Sequence, residues 1–248
     1  MRGVIATVLV GVLVLTAGCS ALEANDDREP FRVDEELDPQ PVAGVEDGDV
    51  TSSLSLHQEH HEGLDAVAYQ ETRVSTFENE SGALVEEWTE TRTVSEGGAP
   101  AFITTTIEGP GVDDRHEYPI REEWRDGERA TRKLVTESGQ TTYANGTETT
   151  VDPTMPIPLY DVYQVVDTVD RIDGGYRLAG TADAYDSRAN VSVDVRLTDE
   201  GIVQSYHVRG QYPDETAYRN FTHSVQIDVG EGEPEEPGWL EEAGMQNG

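Results

Sequence analysis

Residues 190–198 read Asn-Val-Ser-Val-Asp-Val-Arg-Leu-Thr, and residues 220–229 read Asn-Phe-Thr-His-Ser-Val-Gln-Ile-Asp-Val. In the first stretch Val191, Val193, Val195 and Leu197 fall on one side, with Ser192, Asp194, Arg196 and Thr198 on the other. In the second, Phe221, His223, Val225, Ile227 and Val229 share a face. Period-two alternation sends successive side chains to opposite sides of an extended chain, so each stretch reads as a strand with one face buried and one in water.

Upstream, turn signals divide segments rich in Thr, Val and aromatic residues. They are Asn79-Glu80-Ser81-Gly82, Gly97-Gly98, Gly109-Pro110-Gly111, Asp126-Gly127, Ser138-Gly139 and Asn145-Gly146. Asp-Gly and Asn-Gly favour tight hairpins because both turn residues need positive φ, so the pattern predicts an antiparallel meander. Its alternation is mixed: Leu84, Trp88 and Val94 share a face with Glu86, Glu90 and Arg92. A short helix is predicted to open the domain, with Thr51 or Ser52 as N-cap and Gly63 as its stop. A second is predicted over 156–169, where Leu159, Val162, Tyr163, Val166 and Val169 recur at helical spacing and Pro158 suits the first turn. Four strands should follow. The expected class is α+β, a curved antiparallel sheet (an incomplete β-barrel) covered on one side by helices.

The N-terminus reads as an export signal. Met1-Arg2 precedes an apolar run from Gly3 to Leu15, shorter than the roughly 20 residues needed to span a bilayer core. A signal peptide over 1–18 fits it. Ala17-Gly18-Cys19 resembles a lipobox, in which the cysteine thiol receives lipid. Cys19 is the only cysteine, which excludes an internal disulfide framework and a cysteine-rich zinc site. Two lipid chains on Cys19 would hold the protein durably on the membrane, where one would bind reversibly. The reading divides the chain into a signal peptide (1–18), a lipidated cysteine with an acidic disordered linker (19–50), a folded domain (51–243) and a tail (244–248). It places the protein at the extracellular face of the cell membrane.

The 248 residues carry 17 Lys+Arg against 50 Asp+Glu, a formal charge of −33. Nothing with that balance can displace the counterions condensed on nucleic-acid phosphates, so nucleic-acid binding is excluded. Such a chain repels itself in dilute buffer, whereas the Debye length falls to about 3 Å at 1 M salt. The composition is that of an exported protein of an extreme halophile.

Candidate sites are few. His57, His60 and His61 form the one cluster that could hold a metal: His57 and His61 stand one helical turn apart, a spacing zinc accepts, with Glu62 or His116 as a third ligand, but packed histidines are the preferred reading and no metal is expected. Asp113-Asp114 and the set Asp167, Asp170 and Asp173 do not match a calcium-loop spacing. There is no nucleophile elbow and no phosphate-binding glycine loop, so neither catalysis nor a cofactor is expected. Four sequons begin at Asn79, Asn145, Asn190 and Asn220, although six Asn in a chain of this composition predict roughly one by chance. They are candidate glycosylation sites. Trp88, Trp124, Tyr143, Tyr160, Tyr163, Tyr206 and Phe221 could line a ligand cavity or pack a core.

The order of these features resembles a family. The lipobox, acidic linker, His- and Leu-bearing helix, meander with Glu123-Trp124-Arg125-Asp126-Gly127, mid-chain helix and closing Pro237-Gly238-Trp239-Leu240-Glu241-Glu242-Ala243 are similar to haloarchaeal lipoproteins related to LolA and LppX. The resemblance covers 19–243. It implies an incomplete barrel whose open side is plugged by helices over an apolar cavity, and hence a hydrophobic or lipid ligand bound without catalysis. The many charged residues on the strands depart from such a lining. The other reading is a structural or protein-interaction module of the cell envelope with a solid core. A ligand cavity usually exceeds about 300 Å³, which would separate the two.

Overall fold

The alternating segments pair into one sheet. The computed structural model describes residues 42–127, 129–146, 158–213, 218–230 and 232–246. The expected signal peptide, Cys19 and the linker as far as Pro41 lie outside the described residues. A hairpin of β1 (Val45–Glu46) and β2 (Asp49–Val50) leads into helix α1 (Ser53–Asp65). Strands β3 (Tyr69–Glu78), β4 (Leu84–Val94) and β5 (Ala101–Glu108) follow, then a one-turn helix α2 (Val112–Arg115) and strands β6 (Ile120–Asp126), β7 (Arg129–Val135) and β8 (Thr141–Gly146). Helix α3 (Leu159–Val165) precedes β9 (Thr168–Ile172), β10 (Gly175–Tyr185), β11 (Arg188–Thr198), β12 (Val203–Gln211) and β13 (Asn220–Val229). Helix α4 (Leu240–Gln246) ends the fold.

Strands β3 to β13 form an 11-stranded sheet in the order β8-β7-β6-β5-β4-β3-β13-β12-β11-β10-β9, antiparallel throughout. Two meanders, β3 to β8 and β9 to β13, are thus joined by one pairing, β3 with β13. The edge strands β8 and β9 do not pair with each other, so the sheet is unclosed. Most of the described structure is this sheet, and the helices are few and short.

Local chemistry explains the helix ends. Ser52 caps α1 by accepting the Ser55 N–H at 3.1 Å. Leu56, His60 and Leu64 recur at four-residue spacing and are buried. The helix runs through Gly63 rather than stopping there, because a Cβ on Gly63 would sit 2.6 Å from Ile202 Cγ1. Gly63 is where α1 meets the β11–β12 turn. Helix α3 is shorter than its periodicity predicts: Val166 is extended, and Val169 lies in β9. The ladder captures the backbone there, since the Asp167 N–H donates to the Ala179 carbonyl at 3.0 Å. The expected helix start over 156–157 lies outside the described residues.

Four further expectations are revised. Val42 and Val45 are buried in the core and Val45 pairs with Val50, so the folded part reaches back before Thr51. Asn145-Gly146 makes no turn, because both residues pair with β7 as the end of β8. Five strands rather than four follow α3. Helix α4 also continues past Gly244, where a tail was expected.

The core lies between α1, α3 and one face of β9 to β13, hereafter the inner face. Leu56 and Val162 on the helices, and Leu178, Val195, Leu197, Val203 and Val208 on the sheet, have no accessible surface (0%). A void large enough for water would leave accessible area on the side chains lining it, so these layers meet without one. Gly180 permits the closest approach: a Cβ there would fall 1.9 Å from the Val165 carbonyl oxygen. Gly180→Ala should therefore push α3 off β10 and destabilise the protein by about 3 kcal/mol. Chemical denaturation in molar KCl checks this, and an unchanged midpoint would contradict the tight seat of α3.

The C-terminal segment covers the outer face at the other end of the sheet. Gly232 lies over Thr93 on β4, and Trp239 stacks on Tyr143 of β8 at 5.9 Å with the rings 24° apart. The Tyr143 hydroxyl donates to Glu242 at 2.8 Å, and Ala243 is buried. Pro234 and Pro237 suit an extended strap of this kind.

Candidate functional site

One rung of the inner face can be followed across the whole sheet. From β9 to β8 it reads Val169, Leu178, Val195, Tyr206, Val225, Arg73, Glu90, Thr105, Arg121, Leu134 and Thr142. The rung is apolar where helices cover it and turns charged at β3. A second rung repeats the change, running Ile227, Glu71, Arg92, Ile103, Glu123, Arg132 and Ala144. The mixed alternation read from β4 therefore has a place in the fold: its charged residues continue the core face beyond the reach of the helices.

These charges pair with one another. Arg73 donates to both carboxylate oxygens of Glu71, at 2.7 and 3.0 Å. Arg92 donates to Glu90 at 2.6 Å, and the Thr105 hydroxyl donates to the other Glu90 oxygen at 3.4 Å. Further along, Glu123 takes Arg132 at 2.5 Å and also Arg125. Glu71 is only 5% exposed. Burial alone would pull the Arg73 guanidinium down, but the Glu71 carboxylate lifts it above its ordinary value, so it stays charged.

At the boundary between apolar and charged halves lies a buried hydrogen-bonded chain. Ser75 Oγ and His223 Nδ1 are 2.7 Å apart, and His223 Nε2 lies 3.2 Å from the Tyr206 hydroxyl. Burial, helped by the charge of Arg73, lowers His223 to about 4, and burial pushes Tyr206 up to about 12. A histidine this weakly basic makes a poor general base near neutral pH, and no carboxylate stands on its second nitrogen to hold an imidazolium. Glu86, with no accessible surface, is a second such centre. It accepts Trp88 Nε1 at 2.9 Å and Arg115 Nε at 3.2 Å, with His116 Nε2 also 3.2 Å away.

The outer face carries an open groove of about 400 Å³ along β10 to β12, floored by Arg177, Asp194, His207 and Arg209 and rimmed by Asp167. Asp194, His207 and Ser224 are register partners across three strands there. They form no relay: Arg177 Nε donates to Asp194 at 2.9 Å, while Ser224 occupies His207 Nδ1 at 2.9 Å. The groove's volume suits a small ligand, but its floor is polar and it lies on the side away from α1 and α3.

The seven aromatic candidates do not come together. Trp88, Tyr163, Tyr206 and Phe221 join the main core or pack against it. Trp124 lies on the outer face, paired with Phe102 and Thr131, and Tyr143 is held under Trp239. Tyr160 is 39% exposed, edge-on to His57 at 6.0 Å. The histidine cluster is a packing feature: His60 Nδ1 accepts the Val203 N–H at 3.2 Å, and the His57 and His61 rings meet edge-to-face at 4.4 Å. Burial and its histidine neighbours lower His60 to about 3. Among the described residues no group of three His, Cys, Asp or Glu side chains could hold a metal, and this covers Asp167, Asp170 and Asp173. The side chains of Asp113 and Asp114 lie outside the described residues. No helix among the described residues is long and apolar enough to cross a membrane. The sequence signal for the charged half was present in Glu86, Glu90 and Arg92; the Glu71–Arg73 and Ser75–His223 contacts had none.

No family model matches the chain, and no curated protein matches it. Solved structures do. One is a Vibrio parahaemolyticus domain named for outer membrane lipoprotein sorting, 8% identical, matching over 73% of this chain and 94% of that domain with a TM-score of 0.32. Another is the M. tuberculosis protein Rv2717c, 13% identical over 68% of this chain and 97% of that one, with a TM-score of 0.24.

Proposed function

We propose that this is a lipid-anchored, non-catalytic protein of the cell surface that works as an interaction module on a solid core. The observation that carries the reading is the absence of accessible surface on Leu56, Val162, Leu178, Val195 and Val208, which fill the space between helices and sheet. The charged half of the inner face supports it too. A purely apolar ligand laid on Glu71, Arg73, Glu90 and Arg92 would cover ion pairs without replacing their lost hydration. The weak basicity of His223 and the broken row at Asp194 support a role without catalysis. The membrane partner is the one Cys19 would bind through its lipid.

The second reading, a carrier of a hydrophobic ligand, draws on the unclosed sheet with helices over one side. It requires α1 and α3 to lift so that the ligand can take the place of core side chains. Extraction of the membrane-purified protein with organic solvent, together with native mass spectrometry in volatile salt, decides between them. The solid-core reading expects no apolar molecule beyond the lipid on Cys19; a further apolar molecule near 1:1 would establish the carrier. Cys19→Ser should move most of the protein from membranes to the medium, as followed by fractionation, and retention on the membrane would refute the anchor.

A further inference from the structure

Three of the four sequons, far apart in sequence, meet at one end of the sheet. Asn79 opens the β3–β4 turn, one residue past Glu78, and Glu78 pairs with Asn220 at the start of β13. Asn220 pairs in turn with Gln211, the last residue of β12. The Gln211 amide then joins two sequons: its Nε2 donates to Asn220 Oδ1 at 3.2 Å, and its Oε1 accepts from Asn190 Nδ2 at 2.8 Å. With strands about 4.8 Å apart, the three asparagines lie within roughly 15 Å of one another. Asn145 sits at the other end, on edge strand β8 beside Thr131.

Each of the three can carry a substituent without loss of packing. Asn190 is exposed and holds positive φ (51°) at an irregularity of β11. Its one hydrogen bond to Gln211 uses one of the two hydrogens on Nδ2. Asn79 spends its oxygen, not its nitrogen: Oδ1 accepts the Ser81 N–H at 2.9 Å, the Ser81 hydroxyl at 2.6 Å and the Ala83 N–H at 3.1 Å. Asn220 likewise accepts through Oδ1, and it faces away from the core, since its neighbour Phe221 faces inward.

We propose that Asn79, Asn190 and Asn220 carry N-linked glycans and make one end of the sheet a sugar-covered pole. The chain enters the domain at the opposite end, where Val42 lies against Gly201 in the β11–β12 turn. Asn190 and Thr198 are eight residues apart along β11, so roughly 26 Å separates the pole from that end. In the transfer the amide Nδ2 forms a bond to C1 of a sugar. The bond from C1 to the phosphate of a lipid-phosphate-linked oligosaccharide breaks, the phosphate leaves with the electron pair, and Nδ2 gives up a proton. The inference rests on the reading of the protein as exported.

The full chain, expressed in a halophilic archaeal host and purified from membranes, should give peptides containing Asn79, Asn190 and Asn220 with added hexose-type mass. Ser81→Ala, Ser192→Ala and Thr222→Ala remove the sequons one at a time; every asparagine stays, Asn190 and Asn220 keep their Gln211 bonds, and Asn79 keeps its two backbone bonds. Each should lower the mass of the intact protein by one glycan, and the triple variant should lose three. A lipid-bearing Cys19 peptide beside unmodified Asn79, Asn190 and Asn220 peptides overturns the glycan pole and leaves the export reading standing. Modification of only one of the three overturns the shared pole as well. A bare Cys19 in a cytosolic, unmodified protein overturns both.

Discussion

Acidifying the protein from pH 7 to about 4 in concentrated salt is expected to unfold it. His60 and His223 are buried and neutral, with values lowered to about 3 and about 4 by burial first and neighbouring positive charge second. In the unfolded chain both would titrate near 6.5. Above that pH the two states bind the same protons here and stability is whole. As pH falls through 6.5 the unfolded chain takes up two protons that the folded one refuses, and stability drops until the folded values are reached. Two histidines over about two and a half pH units make a loss on the order of 6 kcal/mol, comparable to the whole stability of many domains. His223 meets Ser75, Tyr206 and Arg73 on its own face and feels the charge of His207 from the opposite one; the groups facing His60 are His57, His61, Arg73 and the Val203 N–H. None of them is a carboxylate that could repay protonation. Denaturation midpoints in molar KCl at stepped pH would measure this, and His60→Gln with His223→Gln should flatten the dependence by about one proton each. Equal midpoints for the native chain at pH 7 and pH 5 would show that the two rings are not held neutral by burial.

Arg73→Met should be nearly as damaging, at about 3–5 kcal/mol, because it strands the Glu71 carboxylate in the sheet with Arg92 no nearer than 4.0 Å. The companion Glu71→Leu/Arg73→Met variant removes both charges together and should regain most of that loss, since a buried pair often contributes little over an apolar replacement. Urea midpoints at fixed salt make the comparison. A double variant as unstable as the single one would mean that the charged half of the inner face depends on more than this pair.

How much of this was readable from the chain depends on where the periodicity was clean. Val191 to Leu197 and Phe221 to Val229 alternate because the helices bury one whole face, and there strand and facing were legible. Between β3 and β7 the same face carries Glu and Arg, so period-two hydropathy fades although the strands persist. The end of α3 was set by the Asp167–Ala179 hydrogen bond rather than by helix propensity, and Gly63 by its contact with Ile202. Both are tertiary effects that no local window contains. Asn145-Gly146 carries the signature of a tight turn, but its pairing with β7 overrides it. The aromatics failed as a set for a related reason: their spacing says nothing about which face each reaches, and Trp124 and Tyr143 lie opposite Tyr206 and Phe221. The convergence of Asn79, Asn190 and Asn220 depends on strand order alone, which the sequence pattern leaves open.

The single seam between the two meanders also governs how the molecule is assembled. Ser75 and His223 meet across it although 148 residues separate them along the chain. While the polypeptide is made from its N-terminus, β3 waits with one edge bare until β13, the last strand, has emerged. Contacts between such distant segments form slowly, and an unsatisfied edge is an invitation to a neighbouring chain. Completion of the sheet therefore waits for the C-terminal strand, and a copy truncated before Asn220 would be left with two half-sheets and no means of joining them.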